Sequence, residues 1–380
     1  MKAANAADKM EIYKHYTTTN RISRSTYEMC ELFFSRIVLC DLDWGTITRA
    51  LKDIDSDIFK DWHPWFAAWQ GLSDDFEQLA DEAVVKQRHV TAGEALLRAA
   101  ACQHFSEFMH FRVPGEKNAA RKNVTRLFDR AIPYLPQDIR KVTIPYGDLP
   151  MPGYFIKAQG DSPGPAVIIV NGLESAKEVE LFVFAKGYLE RGVSVLLFDG
   201  PGQGVHIGHE PLVAEFEPVV GAALDYLGGM DEVDAGRIGI FGVSLGGNLA
   251  VRSAAAFPGR IRACVNFSGG FDYNNFATIN PMVKNGFRYT FCVDTMEAAE
   301  EAIKAMDLTG TSSMETPLLC IHGRNDTIAL YESCKKMMAW AAGEKRLISY
   351  PQERHVCVCY FQDLLPRAYD WLADRLNSPS

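Results

Sequence analysis

The spacing of apolar positions changes about a third of the way along the chain. Through residues 1–135 apolar side chains recur at helical intervals and almost nothing reads as a strand. Leu97, Ala101, Phe105, Phe108 and Phe111 mark one face of a helix. Ahead of them Thr91-Ala92-Gly93-Glu94 is a capping box, which predicts a helix start at Thr91. Ser73, followed by Asp74 and Asp75, predicts another start, with acidic residues at the positive end of the dipole. Segments 25–40, 44–54, 58–70 and 118–132 also suit helices. From residue 136 onward short apolar runs alternate with helical stretches. The runs are Lys141–Pro145, Gly153–Ala158, Ala166–Val170, Val193–Phe198, Arg237–Phe241, Ala263–Phe267, Leu318–Ile321 and Arg346–Tyr350. Several are unbroken β-branched and leucine runs, as strands covered on both faces require. Their alternation with helices predicts a mostly parallel, eight-stranded α/β sheet with helices on both faces. The first two runs have no helix between them and are expected to pair as an antiparallel hairpin at one edge. The expected division is a helical region over 1–135 and an α/β region over 136–380. Within the latter, 271–313 is long for a connection, has a helical pattern over Thr295–Lys304, and reads as a lid-like insert.

Composition narrows the function. The chain has 380 residues, 47% apolar and 23% charged, enough to bury a large core and incompatible with a disordered or fibrous protein. Lys plus Arg is 39 and Asp plus Glu is 48, a net charge of −9. That balance argues against nucleic acid and against an anionic membrane surface as partners. No apolar run reaches the roughly 18 residues of a membrane span. The N-terminus has no apolar stretch after its lysine, so no secretory signal is expected. Nine cysteines are scattered and odd in number, which fits free thiols in the cytoplasm. Cys357 and Cys359 lack a second pair to make a metal site, and no motif calls for a metal or an organic cofactor.

The chemistry concentrates in Arg237–Gly247, RIGIFGVSLGG. A strand ends at Phe241, then Gly242-Val243-Ser244-Leu245-Gly246 forms G-x-S-x-G, then a helix begins. The motif thus stands in the strand–turn–helix context that exposes a nucleophilic serine, with the helix N-terminus placed to favour an oxyanion. A serine hydroxyl needs a base. In this fold the chain order is serine, acid, histidine. Asp326 follows a strand in PLLCIHGRND, and His355 is the only histidine after it. Asp307 and Asp294 lie on the insert, before that strand, and are weaker candidates for the acid. Ser244, Asp326 and His355 are therefore the candidate catalytic residues, with His322 structural. The N–H groups of Leu173 and Leu245 are the candidate oxyanion hole, Leu173 lying after the Ala166–Val170 strand in Asn171-Gly172-Leu173-Glu174-Ser175. Glu174 either caps the following helix or touches substrate. Asp199-Gly200-Pro201-Gly202-Gln203-Gly204 lacks the lysine of a phosphate loop and reads as a shaped turn.

These residues resemble the α/β-hydrolase superfamily. More narrowly, GLES-x-KE at Gly172–Glu178, DGPGQG at Asp199–Gly204 and SLGGN at Ser244–Asn248 resemble the 2,6-dihydroxypseudooxynicotine hydrolase family. Fungal polyketide-shortening hydrolases and the fermentation–respiration switch protein are similar to that family. The resemblance implies an α/β-hydrolase fold, a helical N-terminal cap over the catalytic face, and a homodimer. It also implies hydrolysis of a C–C bond beside a carbonyl, as in 1,3-diketone-like substrates, by the same serine attack. One departure stands out. The nicotine-pathway enzyme of that family is expected to use a glutamate after the sixth strand, and here DYNNFATINPMVKNGFRY contains none. Asn275 and its neighbours Asn274 and Asn280 are polar but cannot take a proton.

The expected partner is a medium-sized small-molecule carbonyl compound, cleaved at a C–C or ester bond. The alternatives are acyl transfer or cyclisation with the same triad, and a non-catalytic binding protein on this scaffold. Trp62, Trp65 and Trp69 form a helical stripe that either packs a core or lines an aromatic pocket. Phe276, Phe287 and Tyr289 on the insert are candidates for the facing wall, alongside Glu174 and Asn275.

Overall fold

The computed structural model describes residues 33–52, 54, 60–160 and 162–378. All eight expected strands are present: β1 Asp138–Ile144, β2 Met151–Lys157, β3 Gly164–Val170, β4 Ser194–Phe198, β5 Val233–Val243, β6 Cys264–Phe267, β7 Leu318–Gly323 and β8 Lys345–Tyr350. They form one sheet in the order β1-β2-β4-β3-β5-β6-β7-β8. β1 pairs antiparallel with β2, and β2 with β4, while every other pair is parallel.

The central strands are apolar without interruption because both faces are covered. Ile168, Leu196 and Ile240 point to one side, where they meet the helices Glu217–Gly228 and Leu245–Ala256. Their chain neighbours Val167, Ile169, Leu197 and Phe241 point to the other, against Glu180–Leu189 and Phe361–Asn377. Tight packing shows at Gly187, where an added Cβ would fall 2.1 Å from the Tyr369 ring.

The N-terminal part is helical: a helix through 33–39, then Trp44–Leu51, His63–Val85, His89–Glu107 and Pro114–Ala131. The rest of the predicted 25–40 helix lies outside the described residues. Two expected starts are corrected. Ser73 sits inside the helix His63–Val85, which runs straight through the expected break. Its hydroxyl donates to the Ala99 carbonyl of the neighbouring helix at 3.0 Å, so tertiary contact, not capping, satisfies it. The helix behind Thr91 begins at His89 instead, and Thr91 lies in its first turn, exposed. The tryptophan stripe is core: Trp62, Trp65 and Trp69 are buried. The Trp65 indole N–H donates to the Phe105 carbonyl at 2.8 Å.

This helical layer rests on the carboxyl ends of the strands. Its core continues into Ala176 and Val179, beyond β3, and into Met282, Val283 and Tyr289 of the insert. The insert carries the expected helix at Met296–Lys304 and a second, unforeseen one at Pro281–Thr290. No helix among the described residues is long and apolar enough to cross a membrane.

Candidate active site

The turn after β5 brings strand and helix into contact that only glycine permits. A Cβ on Gly242 would lie 1.9 Å from the Gly246 carbonyl oxygen, and one on Gly246 would lie 2.4 Å from the carbonyls of Val170 and Asn171. Between them Ser244 adopts φ 57° and ψ −126°, a conformation that costs a non-glycine residue about 1–3 kcal/mol. The surroundings enforce it: the Ser244 N–H donates to the Phe267 carbonyl at 2.7 Å, and its carbonyl accepts from the Gly247 N–H at 2.8 Å.

Two loops at the same sheet edge bring the partners. Ser244 Oγ lies 2.7 Å from His355 Nε2. His355 Nδ1 lies 2.7 Å from Asp326 Oδ2. The other carboxylate oxygen, Oδ1, accepts from the N–H groups of Ile328 at 2.8 Å and Ala329 at 3.0 Å. Asp326 is therefore a turn-capping residue and the histidine's partner at once. His322 is buried and donates to the Ala329 carbonyl at 2.7 Å, holding that loop from beneath.

The loop Asn171–Ser175 crosses the serine turn closely. A Cβ on Gly172 would lie 2.9 Å from the Val243 carbonyl oxygen and 3.4 Å from Ser244 Cβ, so this glycine is required by close approach. The N–H groups of Leu173 and Leu245 are free of protein acceptors among the described residues. Leu245 heads its helix and has no intrahelical acceptor. The DGPGQG turn braces the loop from the sheet side. Gln203 Nε2 donates to the Asn171 carbonyl at 2.9 Å, and Asp199 accepts from Asn171 Nδ2 at 3.0 Å and Lys177 Nζ at 2.5 Å.

Ser244 and His355 open into a cavity of about 230 Å³ between the helical layer and the sheet edge. Its walls are mostly apolar, with Phe108, Met109, Leu173, Tyr273 and Phe287 prominent. Glu174 lies in the wall but caps no helix. Its Oε2 accepts from Lys117 Nζ at 2.6 Å and from the Met109 N–H at 3.1 Å. Three of the expected substrate contacts lie elsewhere. Asn275 donates to the carbonyls of Thr327 and Ile328, both at 3.2 Å, and so ties the insert to the acid loop. Phe276 is buried in the sheet core beside Phe287. Tyr289 packs on Phe111, with its hydroxyl 3.3 Å from Asn118 Oδ1. Phe287, also expected on the facing wall, and Asn280 do line the cavity. The phase of the Pro281–Thr290 helix turns Tyr289 away, and an unread helix gave no phase, whereas Asn275 and Phe276 lie before that helix, at a short turn over Phe276–Thr278.

The sequence reading also missed a buried charge cluster behind Glu174. Glu107, Lys117, Arg121, Glu180 and His104 are all buried there. Burial pushes the Glu107 carboxyl up, but Arg121 and Lys117 outweigh it and hold it down at about 2. Burial likewise raises the Glu180 carboxyl, and Arg36 with His104 brings it down to about 2. Both carboxyls sit below their ordinary 4.5, so their stabilisation is complete above that value and disappears as pH falls toward 2. The melting temperature is therefore expected to fall steeply between pH 4.5 and 2, and Glu107→Gln to flatten that slope in a pH series of melts.

The family follows from this architecture together with comparison to known proteins. The family model described as Esterase FrsA-like matches residues 64–283, and that of the prolyl oligopeptidase family matches 214–379. The chain is 32% identical over 318 residues to the 2,6-dihydropseudooxynicotine hydrolase of Paenarthrobacter nicotinovorans, spanning 82% of this chain and 84% of that one. It is 35% identical over 223 residues to a 20-hydroxy-prefusarin hydrolase of Gibberella moniliformis, spanning 55% of this chain but only 52% of the fungal one. The crystal structure of a 2,6-dihydroxy-pseudo-oxynicotine hydrolase superposes with a TM-score of 0.82 at 28% identity, over 90% of this chain and 96% of that one. The chain is an α/β-hydrolase enzyme and belongs to the FrsA-like esterase family.

Proposed function

We propose that this enzyme hydrolyses a medium-sized carbonyl substrate through an acyl-enzyme on Ser244. The hydrogen-bonded series Ser244–His355–Asp326 at the floor of a mostly apolar cavity carries this reading. Ser244 Oγ attacks the carbonyl carbon while His355 Nε2 takes its proton. Asp326 holds the imidazole in the tautomer that leaves Nε2 free to accept, and stabilises the imidazolium that forms. The developing oxyanion meets the Leu173 and Leu245 N–H groups. The bond to the leaving group then breaks, and its electron pair leaves on oxygen in an ester or on an enolate carbon in a 1,3-diketone. His355 returns the proton to that group. Water, deprotonated by His355, then attacks the acyl-enzyme, and a carboxylic acid departs as Ser244 recovers its proton.

The mostly apolar walls favour an aromatic or polyketide-like body on the substrate. A fluorophosphonate is expected to add once to the wild type and not to Ser244→Ala, read by intact mass. Turnover of aryl esters, lactones and 1,3-diketones in ¹⁸O-water should then put one heavy oxygen into the acid product. A product free of solvent oxygen would replace hydrolysis by acyl transfer or cyclisation. No adduct on the wild type, even with the helical layer loosened by mild denaturant, would sink the serine mechanism.

A further inference from the structure

The Asn171–Ser175 loop reaches over the nucleophile, yet its outer half has little backbone support. Among the described residues no backbone N–H donates to the carbonyls of Glu174 or Ser175. One guanidinium does so to both. Arg121, from the Pro114–Ala131 helix, donates through Nη2 to the Glu174 carbonyl at 2.7 Å and through Nη1 to the Ser175 carbonyl at 3.1 Å. Its remaining edge faces Glu107, with Nε 2.5 Å from Oε1. Glu107 in turn receives Lys117 Nζ, which also grips the Glu174 carboxylate. Arg121 and Glu107 are 4% and 0% exposed, so none of these bonds is shared with bulk water. The planar fork of arginine suits two successive carbonyls, where the compact ammonium of lysine reaches one at a time.

We propose that Arg121 is a positioning residue for the oxyanion site, fixing from the helical layer the loop that presents the Leu173 N–H to the reacting carbonyl. This rests on the Ser244 mechanism proposed above. The loop is pinned from the sheet side by Gln203 and Asp199 at Asn171, and from the helical side by Arg121 at Glu174 and Ser175. Leu173 lies between the two anchors. The helical layer thereby does more than cover the cavity: its docking sets the geometry on which transition-state stabilisation depends. An oxyanion donor works only where its N–H already points at the charge that develops, so a loosened loop loses rate before it loses substrate affinity.

The test compares Arg121→Lys and Arg121→Met with the wild type and with Thr125→Val. Thr125 is on the same helix and bonds Glu178 at 2.8 Å, away from the Leu173 peptide, so it controls for loosened docking. The readouts are kcat and KM on whichever ester of the panel the wild type turns over, the rate of fluorophosphonate addition, and the melting temperature. Arg121→Lys is expected to lower kcat about 10- to 100-fold, a fraction of the loss from deleting an oxyanion donor outright. KM should stay within about twofold, and phosphonylation should slow in parallel, because that step also builds charge on oxygen. Thr125→Val should keep kcat while lowering the melting temperature. Wild-type kcat and phosphonylation in Arg121→Lys would overturn the proposal, as would a loss of kcat in Thr125→Val matching that of Arg121→Lys. If Arg121→Met fails to fold, Arg121→Lys carries the comparison. A wild type that takes no fluorophosphonate sinks the serine mechanism itself, whereas a labelled wild type with indifferent Arg121 variants sinks only the positioning role.

Discussion

Ser244→Ala is expected to lower kcat by about 10⁵-fold or more, and adding His355→Ala to it is expected to lower kcat no further. In the proposed mechanism the hydroxyl and the imidazole act on one proton, and they already stand 2.7 Å apart. Removing either member leaves the other without a task, so the losses cannot add. Rates that fell independently and multiplied in the double variant would separate the two residues into different steps. The backbone supplies a second readout. Ser244 is held at φ 57° and ψ −126°, and alanine inherits that strain while glycine does not. Ser244→Gly should therefore be as inactive as Ser244→Ala yet melt higher. Relief of about 1–3 kcal/mol of strain outweighs the extra unfolded-chain entropy of glycine, about 1 kcal/mol. A Ser244→Gly variant less stable than Ser244→Ala would show that the turn is not strained at this residue.

Asp326→Asn is expected to lower kcat about 10⁴-fold with the fold intact and KM little changed. The carboxylate stands between opposite demands. Its Oδ1 accepts from the N–H groups of Ile328 and Ala329, and its Oδ2 faces His355 Nδ1. An asparagine must aim its carbonyl oxygen at the two peptide N–H groups, since its NH₂ would meet two donors there. The NH₂ is then forced toward His355 Nδ1, which must accept and so lose its proton. The imidazole carries its hydrogen on Nε2 instead, pointed at Ser244 Oγ, and cannot act as the base. Steady-state kinetics beside thermal melts will check this. A loss of only a few-fold would mean that Asp326 serves the turn and not the histidine. Asp326→Ala removes the turn contacts as well, so it should also lower the melting temperature, where Asp326→Asn should not.

The sheet was legible because each of its strands is an apolar run bounded by turn residues, and burial on both faces writes itself into consecutive residues such as Ala166–Val170. The candidate triad was legible because Ser244 sits in a turn whose glycines are required at fixed offsets, and Asp326 and His355 follow strand ends in order. The helix start at Ser73 misled because a hydroxyl that suits a cap can also meet a carbonyl on a neighbouring helix, as Ser73 does at Ala99, while the start expected at Thr91 falls two residues late, inside the first turn of its helix. Which insert residues face the cavity depended on tertiary contacts: Tyr289 is turned away by the rotation of the Pro281–Thr290 helix, Asn275 is held by the Thr327 and Ile328 carbonyls, and Phe276 is buried in the core.

The sequence by itself determined what short-range chemistry determines: strand and helix order, the glycine-bounded serine turn, and the residue types able to move a proton. Tertiary structure alone decided the shape of the cavity and the support of the loop above Ser244. Nothing in the local sequence around Lys117 and Arg121 marks them as buried. They are buried only because Glu107 and Glu174 arrive beside them, Glu174 from more than fifty positions away. A buried charge is tolerated when its partners reach it, and that condition is a property of three-dimensional packing, with no local pattern to announce it.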